Sequence, residues 1–262
     1  LPAGVLFTES FASPGSLGRF TFRVLHGTTS TPTDITQWHG DHNMNCEAPT
    51  TLRDVHVAPS GSNPGEMVWW CAPGGDPSTG HLMTSLYTTG YGHVDFAPAQ
   101  SFSNVSRVCW DQNYTEMGGR KWTQMTVVSE QTFQANGGEL AYVLPELQND
   151  VAVRGVRLSG DTFMFRNLRG STTTFVGQDV YDANFSGFTT TDKAQRFKTC
   201  ITDLENGTVR IESVVGTRTQ RGSFPNGAAR VIFQDVTYDA PKDPLSTDSL
   251  ATWHWDNVQV SG

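Results

Sequence analysis

Apolar residues alternate with polar ones at a period of two along almost the whole chain, and this constrains the fold more than any other feature. No stretch of ten or more residues carries a 3.6-residue amphipathic pattern. The alternation predicts strands at Val5–Phe11, Arg19–Leu25, Leu52–Val57, Met67–Cys71, His81–Tyr87, Tyr91–Phe96, Ser106–Asp111 and Lys121–Val128. It continues through Val151–Leu158, Thr162–Asn167, Thr174–Val180, Ala194–Leu204, Thr208–Val215, Ala229–Tyr238 and Thr252–Val260. Turn signals separate these runs, among them Pro14-Gly15, Gly74-Gly75, Gly118-Gly119 and Pro225-Asn226-Gly227. Asn206-Gly207 between two β-rich runs predicts a hairpin with a type I′ turn. Gln131–Asn136 has room for one helical turn. So many short strands, with no repeat and no linker, predict an all-β chain: one two-sheet antiparallel sandwich, a single domain over residues 1–262.

Composition excludes several function classes. Charged residues make up 17% and the net charge is −8. Nucleic-acid binding needs clustered Lys and Arg, which this acidic chain lacks. The apolar runs are far shorter than the roughly 20 residues that span a bilayer. The chain begins at Leu1, so an N-terminal segment is expected to have been removed and the protein to be secreted, as a monomer. Cys46, Cys71, Cys109 and Cys200 form no CxxC pair, and an even count suits two disulfides in an oxidising compartment. Three pairings are open; Cys46–Cys71 with Cys109–Cys200 is favoured, because the first encloses one continuous block. N-x-S/T sequons stand at Asn104, Asn113, Asn184 and Asn206.

Both terminal strands carry a carboxylate among apolar neighbours. In Val5–Phe11, alternation puts Glu9 on one face with Phe7 and Phe11. In Ala251–Val260 it puts His254, Asp256, Val258 and Val260 on one face and Trp253, Trp255 and Asn257 on the other. A buried carboxylate needs a cation or several donors. Glu9 and Asp256 are therefore candidate ligands of a structural Ca2+, whose chemistry suits oxygen donors; an Arg partner is the alternative.

The pairing of an F-x-E-S-F segment with a W-H-W-D-N-V-Q-V segment resembles the concanavalin A-like lectin/glucanase superfamily, the laminarinase and laminin-G-like jelly rolls. The resemblance implies a jelly roll whose terminal strands pair, with Asp256 at the position of an aspartate that holds structural Ca2+ and Glu9, through its backbone carbonyl or side chain, as the N-terminal contributor. It also implies action on a polysaccharide or glycan. The chain departs from the laminarinase type by lacking an E-x-D-x-x-E strand, since Trp110–Glu116 has the wrong spacing. The R-[TS]-E-x-R pattern of alginate lyases is absent as well.

Two blocks hold residues that could do chemistry. Trp38, His39, Asp41 and His42 lie together ahead of Cys46 and Glu47. They read as a substrate-binding loop, a transition-metal site or a plain surface loop. In Tyr91–Phe96, Tyr91, His93 and Asp95 share one face while Val94 and Phe96 face the core. Arg107, Asp111, Gln112 and Glu116 follow on the next long strand. Glycoside hydrolysis needs two carboxyl groups about 5–9.5 Å apart, for which Asp95, Asp111 and Glu116 are candidates. β-Elimination needs an acid, a base and a group that neutralises a uronate, which Tyr91, His93, Arg107 and Gln112 could supply. Of the seven tryptophans, Trp70 is a candidate sugar platform. In Trp69-Trp70 and in Trp253/Trp255, at least one ring is expected outside the core or at its rim. The expected function is therefore glycan cleavage in a cleft; a non-catalytic glycan-binding module or an extracellular structural protein is the alternative.

Overall fold

The computed structural model describes residues 4–26, 29–32, 56–57, 65–71, 80–87, 92–117, 120–135, 161–169, 179–182, 197–213, 216–238 and 250–262. In chain order the strands are β1 (Val5–Glu9), β2 (Phe20–His26), β3 (Thr29–Pro32), β4 (His56–Val57), β5 (Gly65–Cys71), β6 (His81–Tyr87), β7 (Gly92–Pro98), β8 (Phe102–Ser103) and β9 (Arg107–Met117). They continue with β10 (Arg120–Ser129), β11 (Thr162–Arg169), β12 (Asp179–Asp182), β13 (Phe197–Asp203), β14 (Thr208–Ser213), β15 (Gly216–Arg221), β16 (Ala228–Tyr238) and β17 (Leu250–Ser261). A 3-10 turn covers Pro14–Arg19, and the helix α1 (Glu130–Ala135) occupies the place of the expected helical turn.

The strands form two sheets. Sheet A runs β15-β14-β13-β9-β17-β6-β5-β4, with β1 added to β17. Sheet B runs β12-β11-β10-β16-β7-β2-β3, with β8 added to β16. Every described pair is antiparallel except β11 with β12. The terminal strands pair as the resemblance implies, with Glu9 opposite Val258. The result is an all-β, two-sheet jelly-roll sandwich. No helix among the described residues is long and apolar enough to cross a membrane.

Alternation builds the core from both sheets. Val108 and Trp110 of β9, Ile201 of β13 and Trp253 and Trp255 of β17 point inward from sheet A. Val94 and Phe96 of β7, Met125 and Val127 of β10 and Phe233 of β16 meet them from sheet B. Phe96 sits at the centre, its ring 4.9 Å from Trp255 and 5.2 Å from Phe233. Edge-to-face and offset ring pairs of this kind favour one packing over others.

Three expectations are corrected. First, β17 changes phase. A bulge between Asp256 and Gln259 inserts a residue opposite β9, and Asn257 takes a left-handed φ of 48°. Trp253, Trp255, Val258 and Val260 therefore all face the core, while His254 and Asp256 face outward. Neither tryptophan lies outside the core or at its rim: Trp253 is 0% exposed and Trp255 1%. Second, the β13–β14 hairpin forms, but not on a type I′ turn, which needs positive φ at both Asn206 and Gly207. Positive φ falls on Glu205 and Gly207, and the Asn206 Oδ1 accepts from the Thr208 backbone N–H at 3.1 Å. Third, β15 has no counterpart in the alternation, because its sequence GTRTQR holds no apolar residue and it lies at the edge of sheet A.

Cys109 and Cys200 form a disulfide between directly opposed residues of β9 and β13. Cys46 and the expected strand Val151–Leu158 lie outside the described residues.

Candidate functional site

The two outward faces carry different polar groups. On sheet B the row at the level of Asp95 crosses strand after strand. Arg23 stands opposite Asp95, Asp95 opposite Gln234, Gln234 opposite Gln124 and Gln124 opposite Arg166. Their strand neighbours Val94, Phe233 and Met125 fill the core, so Asp95, Gln234 and Gln124 point away from it. All three are buried. The Gln234 Nε2 donates to Asp95 Oδ1 at 2.9 Å, and the Gln124 Nε2 donates to Gln234 Oε1 at 2.9 Å. Gln124 Nε2 also lies 3.1 Å from Thr126 Oγ1 and 3.4 Å from Met164 Sδ. The next row brings Leu25, His93, Val236 and Trp122 into register.

Helix α1 closes one end of this face. Phe133 packs on Ala97, Val128, Met164 and Ile232, an apolar cluster separate from the main core. The Ser129 hydroxyl accepts from the Thr132 N–H at 3.1 Å and donates to Asp161. Arg230 of β16 binds Glu130 through two hydrogen bonds, of 2.6 and 3.0 Å. That guanidinium, helped by Gln134, holds the Glu130 carboxyl below its ordinary value against the opposing effect of burial. The same guanidinium sits 5.2 Å from the Phe133 ring centroid, a cation–π contact.

On sheet A the outward face carries His81, His254, Asp256 and Asp111. The His81 Nε2 and the His254 Nδ1 lie 2.8 Å apart, so one imidazole donates the proton the other accepts. Asp256 stands directly opposite Asp111. Asn257 binds both: its backbone N–H donates to Asp256 Oδ1 and its Nδ2 to Asp111 Oδ2, each at 2.8 Å. Asp111 Oδ1 is inaccessible and has no partner among the described residues.

These placements redraw the candidate catalytic set. Asp95 and Asp111 do not face one cleft. Asp95 is on the outer face of sheet B and Asp111 on the outer face of sheet A, with the layer of about 10 Å between the sheets separating them. Glu116 is in sheet A too, opposite Thr252. Gln112 is not on an outer face at all: it points between the sheets, where its Oε1 accepts from Trp110 Nε1 at 2.6 Å and Thr123 Oγ1 at 3.3 Å. Arg107 stays at sheet A, bound to Glu212 at 3.0 Å and touching the disulfide sulfur of Cys109. His93 keeps its register position beside Asp95 on β7. Trp70 is on β5, opposite Leu82. Tyr91, Trp38, His39, Asp41, His42 and Glu47 lie outside the described residues.

The expected cation pair is also divided. Glu9 lies on the core side between Phe7 and Phe11, as alternation predicts. Its carboxylate accepts from the Phe11 N–H at 2.7 Å and pairs with Arg19 at 2.6 Å. Arg19 thus supplies the compensation, and Asp256 is turned to the opposite side of β17 by the bulge. The Glu9 carboxylate, committed to Phe11 and Arg19, does not share a side of β17 with Asp256. Asp111 fits as a partner of Asp256 for calcium, because its Oδ1 is buried and lacks a donor. Among the described residues no three His, Cys, Asp or Glu side chains surround a common point, so main-chain or water oxygens would complete such a site.

Sequence reasoning missed Gln124, Thr126 and Gln234. The available signal was polar residues at alternate positions of Lys121–Val128 and Ala229–Tyr238 where a core strand would bury both faces. Gln124-x-Thr126-x-x-Ser129 also has the spacing of E-x-D-x-x-E with no carboxylate in it. A second miss is internal. Asp235 is buried between the sheets, bonded to Thr84 and accepting from Trp255 Nε1 at 3.3 Å, and its burial pushes the carboxyl well above the ordinary range.

No family pattern matches the chain, and no curated protein does. Similar solved structures include a GlcNAcα1-4Gal-releasing endo-β-galactosidase from Clostridium perfringens, at TM-score 0.49 and 9% identity over 99% of this chain. This chain spans 62% of that protein's length. A Bacillus licheniformis β-glucanase gives TM-score 0.45 and 11% identity, with both chains covered in full. An alginate lyase from a Corynebacterium species gives 0.44 and 10%, over 95% of this chain and 97% of its own. At these identities no residue role passes from one chain to another.

Proposed function

We propose that this is a secreted, monomeric carbohydrate-active protein whose glycan lies across the outer face of sheet B. The observation that carries the reading is the Asp95–Gln234–Gln124 row. Sugar hydroxyls and ring faces are recognised by carboxylates, amides and aromatic surfaces together. The row holds the first two but is itself buried, so direct glycan contact falls to the next row, which holds Trp122 and His93 in register. Neighbouring strands are about 4.8 Å apart, so the row from β2 to β11 extends about 19 Å, room for several sugar rings.

Of the two cleavage chemistries, β-elimination on a uronate-containing polysaccharide is the better match. Hydrolysis needs two carboxyl groups no more than about 9.5 Å apart. Asp95 and Asp111 lie on opposite sides of the sandwich and cannot be that pair. Elimination needs a base and groups that neutralise the uronate. His93, the Gln124 and Gln234 amides, and arginines at register positions on both ends of the row are of the right types. Non-catalytic binding is the second reading, favoured by the commitment of Asp95 to Gln234. On sheet A, Asp256 with Asp111 is the proposed place of the structural calcium.

The test is a panel of uronate-containing and neutral polysaccharides, read both by the absorbance of unsaturated uronates and by reducing ends. Elimination predicts the absorbance on uronate polymers only and its loss in His93→Ala with binding retained. Reducing ends without the absorbance would defeat the lyase reading. Binding without either signal would leave the binding module, and no binding anywhere would end the glycan reading.

A further inference from the structure

Asn206-Gly207-Thr208 has the N-x-S/T pattern of an N-glycosylation acceptor, and three other segments share it. The pattern by itself says nothing about whether the side-chain amide is free to react; the surroundings of each asparagine do. Asn206 is exposed at the tip of the β13–β14 hairpin. Its Oδ1 accepts twice from one residue, from the Thr208 backbone N–H at 3.1 Å and from the Thr208 hydroxyl at 2.5 Å. A backbone N–H only donates, so the amide atom facing it is the oxygen, and the nitrogen is turned the other way. No described residue bonds Asn206 Nδ2. The space beside it is open: a side-chain carbon placed on Gly207 would meet no atom within 4 Å. The turn is held from behind by the Asp203 carboxylate, which accepts from the Glu205 N–H at 2.8 Å and the Phe224 N–H at 2.6 Å.

The other sequons are placed differently. Asn104 is exposed, but its N–H donates to the Gly227 carbonyl at 2.9 Å, its own carbonyl oxygen sits 3.2 Å from where a Cβ on Gly262 would stand, and the adjacent Val105 is in the core. Asn113 stands within β9, opposite the buried His254. Asn184 lies outside the described residues.

We propose that Asn206 is an N-glycosylation site, its Nδ2 accepting an oligosaccharide from a lipid-linked oligosaccharide diphosphate. The bond between Nδ2 and C1 of the first sugar forms, the bond from C1 to the diphosphate oxygen breaks, Nδ2 gives up one proton and the lipid diphosphate leaves. The bonds that aim the amide join residues only two apart, so they need no distant strand and form on the chain before the sandwich closes. The Cys109–Cys200 disulfide belongs to the oxidising compartments in which this transfer takes place. The hairpin is part of sheet A, so the site stands apart from the glycan face on sheet B and does not rest on that reading.

The full chain, preceded by a signal sequence, is translated in a cell-free system with microsomes, which supply the transferase and its lipid-linked donor. Mass spectrometry of the peptide holding Asn206 should find it glycosylated, and Asn206→Gln should lose one glycan by gel mobility. Transfer is scored on the translated chain, so a variant that folds poorly still gives an answer. A wild-type peptide with Asn206 unmodified overturns the proposal. In the purified glycoprotein, peptide N-glycosidase should release the Asn206 glycan without denaturant. Release only after denaturation overturns the outward placing of Nδ2. Neither result depends on whether sheet B binds or cleaves a polysaccharide.

Discussion

Removing the Cys109–Cys200 bridge should destabilise the protein chiefly by releasing the unfolded chain. The two cysteines are 91 residues apart in sequence. In the loop-entropy treatment a cross-link closing a loop of that length stabilises by about 4.6 kcal/mol at 25 °C. Residual structure in the unfolded chain lowers the figure, so a loss of about 2–4.6 kcal/mol is expected for Cys109→Ala with Cys200→Ala. Both residues are nearly buried on the outward side of sheet A, and two opposed alanines suit that place in a ladder. Trp110, adjacent to Cys109 and 1% exposed, gives the fluorescence signal. Urea unfolding of the oxidised wild type and the double variant measures the change in stability and in the denaturant slope m. Loop release predicts that m rises, because an uncrosslinked unfolded chain exposes more surface. A loss below about 1 kcal/mol would refute the reasoning. A full loss at unchanged m would show that the bridge acts through native contacts instead.

Three further outcomes follow from the buried carboxylates. Asp235 holds its proton more tightly folded than unfolded, so its stability contribution is complete below the ordinary value of 3.8 and is lost as pH rises. Asp235→Asn should therefore melt higher than wild type at pH 7, the gap closing toward pH 3; a gap that does not shrink on acidification refutes this. Glu130 is shifted the other way, so its contribution is complete above its ordinary value of 4.5 and is lost as pH falls through its lowered folded value. Arg230→Gln should lose about 0.5–1 kcal/mol at pH 7 and less as pH falls and Glu130 takes up its proton, in thermal melts, since the pair is only three-quarters buried. If calcium joins Asp256 to Asp111, chelator lowers Tm and Asp256→Asn removes that response; unchanged Tm with no copurifying metal rejects the site.

Within each strand, alternation was enough. It put Val94 and Phe96 in the core with Asp95 outside, put Glu9 between Phe7 and Phe11, and marked Cys109 and Cys200 as one favoured pair. The candidate site was only partly legible. Asp95 and His93 stay on one face, but Asp95 is bonded by Gln234 of β16, far from it in sequence, and Gln234 in turn by Gln124 of β10.

The sequence by itself determined that this chain is a two-sheet β-sandwich and which side of most strands faces inward, because a period of two is a local property of the backbone. Tertiary structure alone decided which sheet each strand joins. β7 and β9, separated in sequence only by the two-residue β8, went to different sheets, and that sent Asp95 and Asp111 to opposite sides of the molecule. It also decided the phase of β17, where one extra residue at the bulge turned two valines inward and Asp256 away from Glu9. Both outcomes depend on pairing between distant segments, and alternation within a strand carries no information about its partner.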